Sequence, residues 1–203
     1  MIRLLTFLAL LVSAACGSAT PRVPLDNGWP AQPGEYEDVV DEWTRKGVLR
    51  GAYQEVLELA ATLKSPAWRA SFAERDATFR GLGGAARDQR LAQAKADSEG
   101  PWEFQLMVTT WDRRENDLDR GQKSIWKVTL LDPSGNEIAP LEIVKDKRPA
   151  FAVRAEYPAL GDFAQAYIVR FPREANVLGP GVTQVRLRMS SARGGLTLTW
   201  DAP

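Results

Sequence analysis

From Pro101 onward the chain alternates apolar and polar residues with a period of two. "WEFQLMVTTW" places Trp102, Phe104, Leu106 and Val108 on one face, and "SIWKVTLL" does the same with Trp126, Val128 and Leu130. "FAVRAEY" gives Phe151, Val153, Ala155 and Tyr157, and "AYIVRF" gives Tyr167, Val169 and Phe171. "TQVRLRM" sets Val185, Leu187 and Met189 against Gln184, Arg186 and Arg188; after the "SARGG" turn, "LTLTW" returns with Leu196, Leu198 and Trp200. Ile138–Val144, behind the "DPSGN" turn, also reads as extended, with Pro140 marking an edge. Alternation of this kind is the signature of half-buried strands. Seven such runs in about 100 residues predict an antiparallel β-sandwich, with an immunoglobulin-like architecture as one candidate. The Cys…Trp…Cys spacing of true immunoglobulin domains is absent.

Upstream the period changes. Ser65 can cap and Pro66 suits a first helical position; Trp68, Phe72, Arg75 and Phe79 then recur at helical spacing, the aromatic members forming an apolar stripe. "GLGG" at 81–84 stops this helix, and Ala85–Ala96 predicts a second, largely polar one. The "QEVLELAATLK" stretch fits both a strand, through Leu57, Leu59, Ala61 and Leu63, and a helix face. The abrupt helix start at Ser65 favours a strand there, which makes 65–98 a two-helix insertion within the sandwich. Residues 35–51 fit either element, with Val39, Val40 and Trp43 facing a core from either. The expected class is therefore α+β, mainly β, with a globular domain over 35–203. Residues 17–34, rich in Pro, Gly and small residues, predict a flexible tether.

At 44% apolar residues the chain can bury a true core, and its 26 basic and 26 acidic residues cancel. Both signs are spread along the chain, so neither a basic stripe for nucleic acid nor an acidic tail stands out. There is one cysteine and no histidine. That rules out an internal disulfide, Ser-His-Asp and Cys-His sites, His-ligated haem and His- or Cys-rich zinc sites. No cofactor is called for.

The lone cysteine sits in "RLLTFLALLVSAACGSAT". Arg3, the apolar run Leu4–Val12 and the small residues Ser13, Ala14 and Ala15 have the three regions of an export signal. The run is shorter than the roughly 20 residues of a spanning helix. Ser13-Ala14-Ala15-Cys16 resembles the lipobox of bacterial lipoproteins, with Ser13 where that pattern favours leucine. An ordinary secretory signal is the competing reading. The resemblance implies removal of residues 1–15, fatty acylation (palmitate among the chains) of Cys16, and membrane attachment through that lipid, with residues 16–34 as the lipidated cysteine and its tether. Gly17, where an aspartate would imply inner-membrane retention, implies the outer membrane facing the periplasm in a Gram-negative cell.

Among candidate motifs, "GLGGAA" (Gly81, Gly83, Ala86) has the dinucleotide spacing but follows a helix rather than the required strand. "SIWK" (Ser124, Lys127) has the S-x-x-K spacing but lies in a strand pattern, where residues three apart point to opposite faces. The loop "WDRRENDLDRGQK" holds more interest. Trp111 offers a stacking platform, and Asp112, Arg113, Arg114, Glu115, Asp117, Asp119 and Arg120 offer hydrogen-bonding charges. Its order does not match an EF-hand, so no metal is expected. A solvated loop of internal ion pairs explains the same residues; a partner or glycan site is the functional reading. The sequence thus predicts a lipid-anchored envelope protein with a non-catalytic binding or structural sandwich. The alternatives are a carboxylate-dependent hydrolase of cell-wall or surface glycans and a polysaccharide-binding module. The last requires Trp111 exposed beside a groove.

Overall fold

A computed structural model describes residues 20–203; Cys16 and the segment expected to be an export signal lie outside the described residues. The elements are α1 (Tyr36–Trp43), β1 (Thr44–Arg50), β2 (Glu55–Leu63), α2 (Pro66–Phe79), α3 (Gly84–Ser98), β3 (Trp102–Thr110), β4 (Lys127–Leu131), β5 (Glu137–Ile138), β6 (Glu142–Lys145), α4 (Ala150–Glu156), β7 (Gln165–Phe171), β8 (Gln184–Ser191) and β9 (Gly194–Asp201). They form a mainly β, α+β sandwich of two antiparallel sheets, ordered β1-β2-β3-β7-β6 and β5-β4-β8-β9.

Register follows from the period of two. Leu63 faces Phe104, Ala61 faces Leu106 and Leu59 faces Val108, while Phe104 and Leu106 face Val169 and Tyr167 across the next ladder. These residues share the inner face of the five-stranded sheet. It packs on Val128, Leu130, Val185, Leu187, Met189, Leu198 and Trp200 of the other sheet, with Phe104 meeting Trp200 edge-on at 5.6 Å. Gly47 lets β1 close on β9, since a Cβ there would stand 2.9 Å from Leu196 Cδ1.

The opposite face of the five-stranded sheet lies under helices. Lys64, one residue past β2, has its ammonium over the Trp68 ring of α2 and the Tyr157 ring that closes α4. Because β2 and β3 are direct neighbours, α2 and α3 form an insertion within one hairpin, as the sequence predicts. Ser65 caps α2 as expected, its Oγ accepting from the Trp68 N–H at 3.1 Å.

Four expectations need correction. Residues 151–157 form α4 rather than a strand. Val153 and Tyr157, four apart, are buried, while Phe151 is exposed; the helical pair carries the burial and the two-residue alternation is incidental. The extended run 138–144 breaks at Pro140 into β5 and β6, edge strands of different sheets, so the chain changes sheets at the proline. Phe79, assigned to the apolar stripe of α2, is exposed at the helix end. The predicted tether is docked at Val23 and Leu25. Both are buried, Val23 N–H donates to Asp201 C=O, and Gly179 N–H donates to Leu25 C=O. For residues 36–43, open in the sequence, the buried set Tyr36, Val39, Val40 and Trp43 has helical spacing.

Candidate functional site

The loop after β3 is bolted down by its own residues. The Asn116 amide donates to Val108 C=O at 2.7 Å, and Tyr167 OH donates to Asn116, 2.8 Å from its C=O and 2.9 Å from Oδ1. Leu118 is a buried plug. Asp112 caps the short 3-10 turn Arg113–Glu115 by accepting from Arg114 N–H, and a second turn, Leu118–Lys123, follows.

This bracing leaves Trp111 on the surface, 69% exposed. It lines a groove of about 450 Å³ with Glu55, Leu57 and Glu58 of β2, Thr109 and Thr110 of β3, Arg113, Asn116 and Phe163. Phe163 is 70% exposed, and the Arg113 guanidinium lies over its ring at 5.1 Å. Two aromatic surfaces and a guanidinium therefore flank an apolar floor supplied by the buried Leu57. Exposed aromatic rings lose little freedom on binding and present a flat apolar face that a sugar ring can cover, while nearby polar groups meet its hydroxyls.

The eight predicted residues do not act as one cluster. Trp111 and Arg113 line the groove. Arg114 forks onto Asp112, with Nη2 2.7 Å from Oδ2, and these hydrogen bonds hold the Asp112 carboxyl down to about 2. Glu115 pairs with Arg193 in the β8–β9 turn. Asp117, nearly buried, accepts from Ser124 Oγ at 2.8 Å and lies 3.5 Å from Arg120. Asp119 lies 3.4 Å from Lys145 of β6. Six of the charges thus fasten the loop, as the ion-pair reading expects, and no set of three or more metal-ligating side chains converges among the described residues. Glu55, Glu58 and Phe163 are groove residues that the sequence reading missed. For Phe163 the available signal was a large aromatic inside "PALGDFAQ", a stretch with turn residues on both sides.

The first motif dismissed on sequence grounds has the context expected: "GLGGAA" joins two helices, α2 and α3, with no strand before it. In "SIWK", Ser124 and Lys127 lie just before and at the start of β4, with Ser124 Oγ committed to Asp117. No helix among the described residues is long and apolar enough to cross a membrane. The chain matches no family model, and comparison with curated proteins and with solved structures gives no significant match.

Proposed function

We propose that this is a cell-envelope protein held by lipid on Cys16, and that its sandwich is a non-catalytic module binding cell-wall or surface glycans through the Trp111 groove. The observation that carries the reading is Trp111 itself: a large exposed aromatic, held by a braced loop, beside a groove with a second exposed aromatic at Phe163. A polysaccharide-binding module requires this arrangement.

The placement of the groove supports the same reading. The N-terminal segment meets the sandwich where β1 begins, with Pro21 C=O accepting from Arg45. The groove lies where β1 ends, since Glu55 is the register partner of Arg50. The strand between them spans roughly 20 Å at its usual rise. A lipid on the N-terminal side therefore presents the groove away from the membrane. Hydrolysis by paired carboxylates requires two acids across a cleft. The acids lining this groove, Glu55 and Glu58, both come from β2, and the Trp111, Arg113, Asn116 and Phe163 side offers none.

Two experiments test the proposal. Cells expressing the full chain and fed a clickable fatty acid are expected to label it, with labelling lost in Cys16→Ser; equal labelling of that variant contradicts the anchor. Trp111→Ala is expected to weaken binding to soluble envelope glycan fragments at least tenfold, about 1.4 kcal/mol. Its thermal midpoint should change little, because the side chain is exposed. Unchanged affinity contradicts the groove as the binding site.

A further inference from the structure

A second site emerges on the far side of the five-stranded sheet. The insertion, α4 and the sheet enclose a crevice of about 200 Å³. Its aromatic wall is a parallel stack: Phe72 on Trp68 at 5.1 Å and 9°, and Trp68 on Tyr157 at 5.6 Å and 8°. Four cations line it, Lys64, Arg69, Arg90 and Arg148, against two carboxylates, Asp97 and Glu156. Three of the cations are already paired: Lys64 with Glu103, Arg90 with Asp76, and Arg148 with Asp146 and with Glu156 of the crevice itself. The half-buried Arg69 is the exception. Its guanidinium has no ion pair or hydrogen bond among the described residues, although it is close enough to Glu103 and Lys64 to influence both charges.

The crevice also contains an unused buried donor. Tyr157 is 1% exposed and its hydroxyl has no hydrogen-bond partner. The buried Trp68 indole N–H likewise has no hydrogen-bond partner among the described residues. A buried hydroxyl without a partner calls for an explanation, and an uncommitted arginine in the same wall supplies one. Arg69 and Tyr157 both line the crevice. A guanidinium fork with a neutral hydroxyl is suited to a carboxylate or phosphate. The volume is that of about half a dozen waters, and below the range typical of sites for drug-sized ligands.

We infer that this crevice binds the oxyanion of a small ligand, a carboxylate or a phosphate, with Arg69 and Tyr157 as its donors. This inference is independent of the glycan groove. The test is titration of the full chain with inorganic phosphate, acetate and glucuronate in separate arms, at fixed pH and ionic strength, read by thermal midpoint and by Arg Nε–H NMR signals. At least one anion is expected to raise the midpoint saturably and shift the Arg69 signal; response to phosphate alone or to the carboxylates alone identifies the class. Arg69→Gln should weaken that response at least tenfold, and Tyr157→Phe severalfold. Tyr157→Phe without ligand should be as stable as the parent, because it removes a hydroxyl that has no partner. The inference is overturned if none of the three anions gives a saturable response, if Arg69→Gln responds like the parent, or if Tyr157→Phe destabilises the ligand-free protein.

Discussion

Glu103→Gln is expected to destabilise the fold by about 3–5 kcal/mol, the cost of stranding a buried charge. Glu103 sits at the centre of a row of charges crossing four neighbouring chain segments. It pairs with Lys64, and Arg170 Nε reaches its Oε2 at 2.7 Å. Arg170 continues to Glu142, and Glu103, Arg170 and Glu142 are register partners across β3, β7 and β6. Side chains directly opposite across strands interact most strongly. Burial by itself would raise the Glu103 carboxyl. The charge and hydrogen bond of Lys64, then the hydrogen bond of Arg170, outweigh it and bring the value down to about 2. A depressed carboxyl stabilises the fold above its unfolded value near 4.5 and loses that contribution as pH falls toward 2. The variant should therefore lack the part of the acid-limb stability loss that the parent shows between pH 4.5 and 2. It should also gain stability as pH rises toward the ordinary lysine value of 10.5. Burial lowers the Lys64 ammonium and Glu103 offsets this; without Glu103 the folded state is relieved as the base loses its proton. The double variant Lys64→Met with Glu103→Leu should recover most of the loss, because replacing a buried pair with apolar groups is often neutral. Chemical denaturation across this pH range checks all three outcomes; a single variant as stable as the parent contradicts the account.

The second large effect is expected at Arg45. This arginine is 4% exposed, and each of its hydrogen bonds ends on a backbone carbonyl. Nε donates to Thr199 at 2.9 Å, Nη1 to Glu42 at 2.7 Å and Thr44 at 3.0 Å, and Nη2 to Pro21 at 2.6 Å. One side chain thus joins the N-terminal segment, the end of α1 and β9, beside the Trp200 ring at 5.6 Å. Burial lowers its basicity, which the nearby Asp201 partly offsets. Arg45→Met keeps the stem but leaves these carbonyls without their donor. Charge-assisted hydrogen bonds contribute about 1.5–3 kcal/mol each, and losses within one network are not additive, so a loss of about 4 kcal/mol is expected. For a chain of this size that lowers the thermal midpoint by about 10 °C. The N-terminal segment should loosen first, with the Val23 amide, which donates to Asp201, losing hydrogen-exchange protection ahead of the core strands. Uniform loss of protection across the sandwich contradicts this local role.

Much of the β architecture is legible in the sequence because one face of each strand is dry. The inner residues of β3, β8 and β9 alternate without interruption, and Ser65-Pro66 marks a helix start by local chemistry alone. The α4 segment misleads because "FAVRAEY" satisfies a period of two while its burial follows Val153 and Tyr157. Only the covering α2, whose Trp68 stacks on Tyr157, separates the two readings. The same limit applies to the candidate site. Trp111 is identifiable as an aromatic in a polar loop, but the charges around it are assigned by distant partners. Glu115 is taken by Arg193 and Asp119 by Lys145, leaving Arg113 over Phe163. Local sequence cannot separate Arg113 from Arg114, because the difference is set by a ring fifty residues away.

The central claim is that the Trp111 groove takes a glycan. Trp111 is the one tryptophan with a largely exposed ring among the described residues, so collisional quenching by acrylamide reports on it preferentially. Titration of the full chain with soluble cell-wall and surface glycan fragments is expected to protect part of the tryptophan emission saturably. Trp111→Phe should show no protected fraction. Saturable glycan binding with quenching unchanged, or no saturable binding to any fragment, would contradict the account.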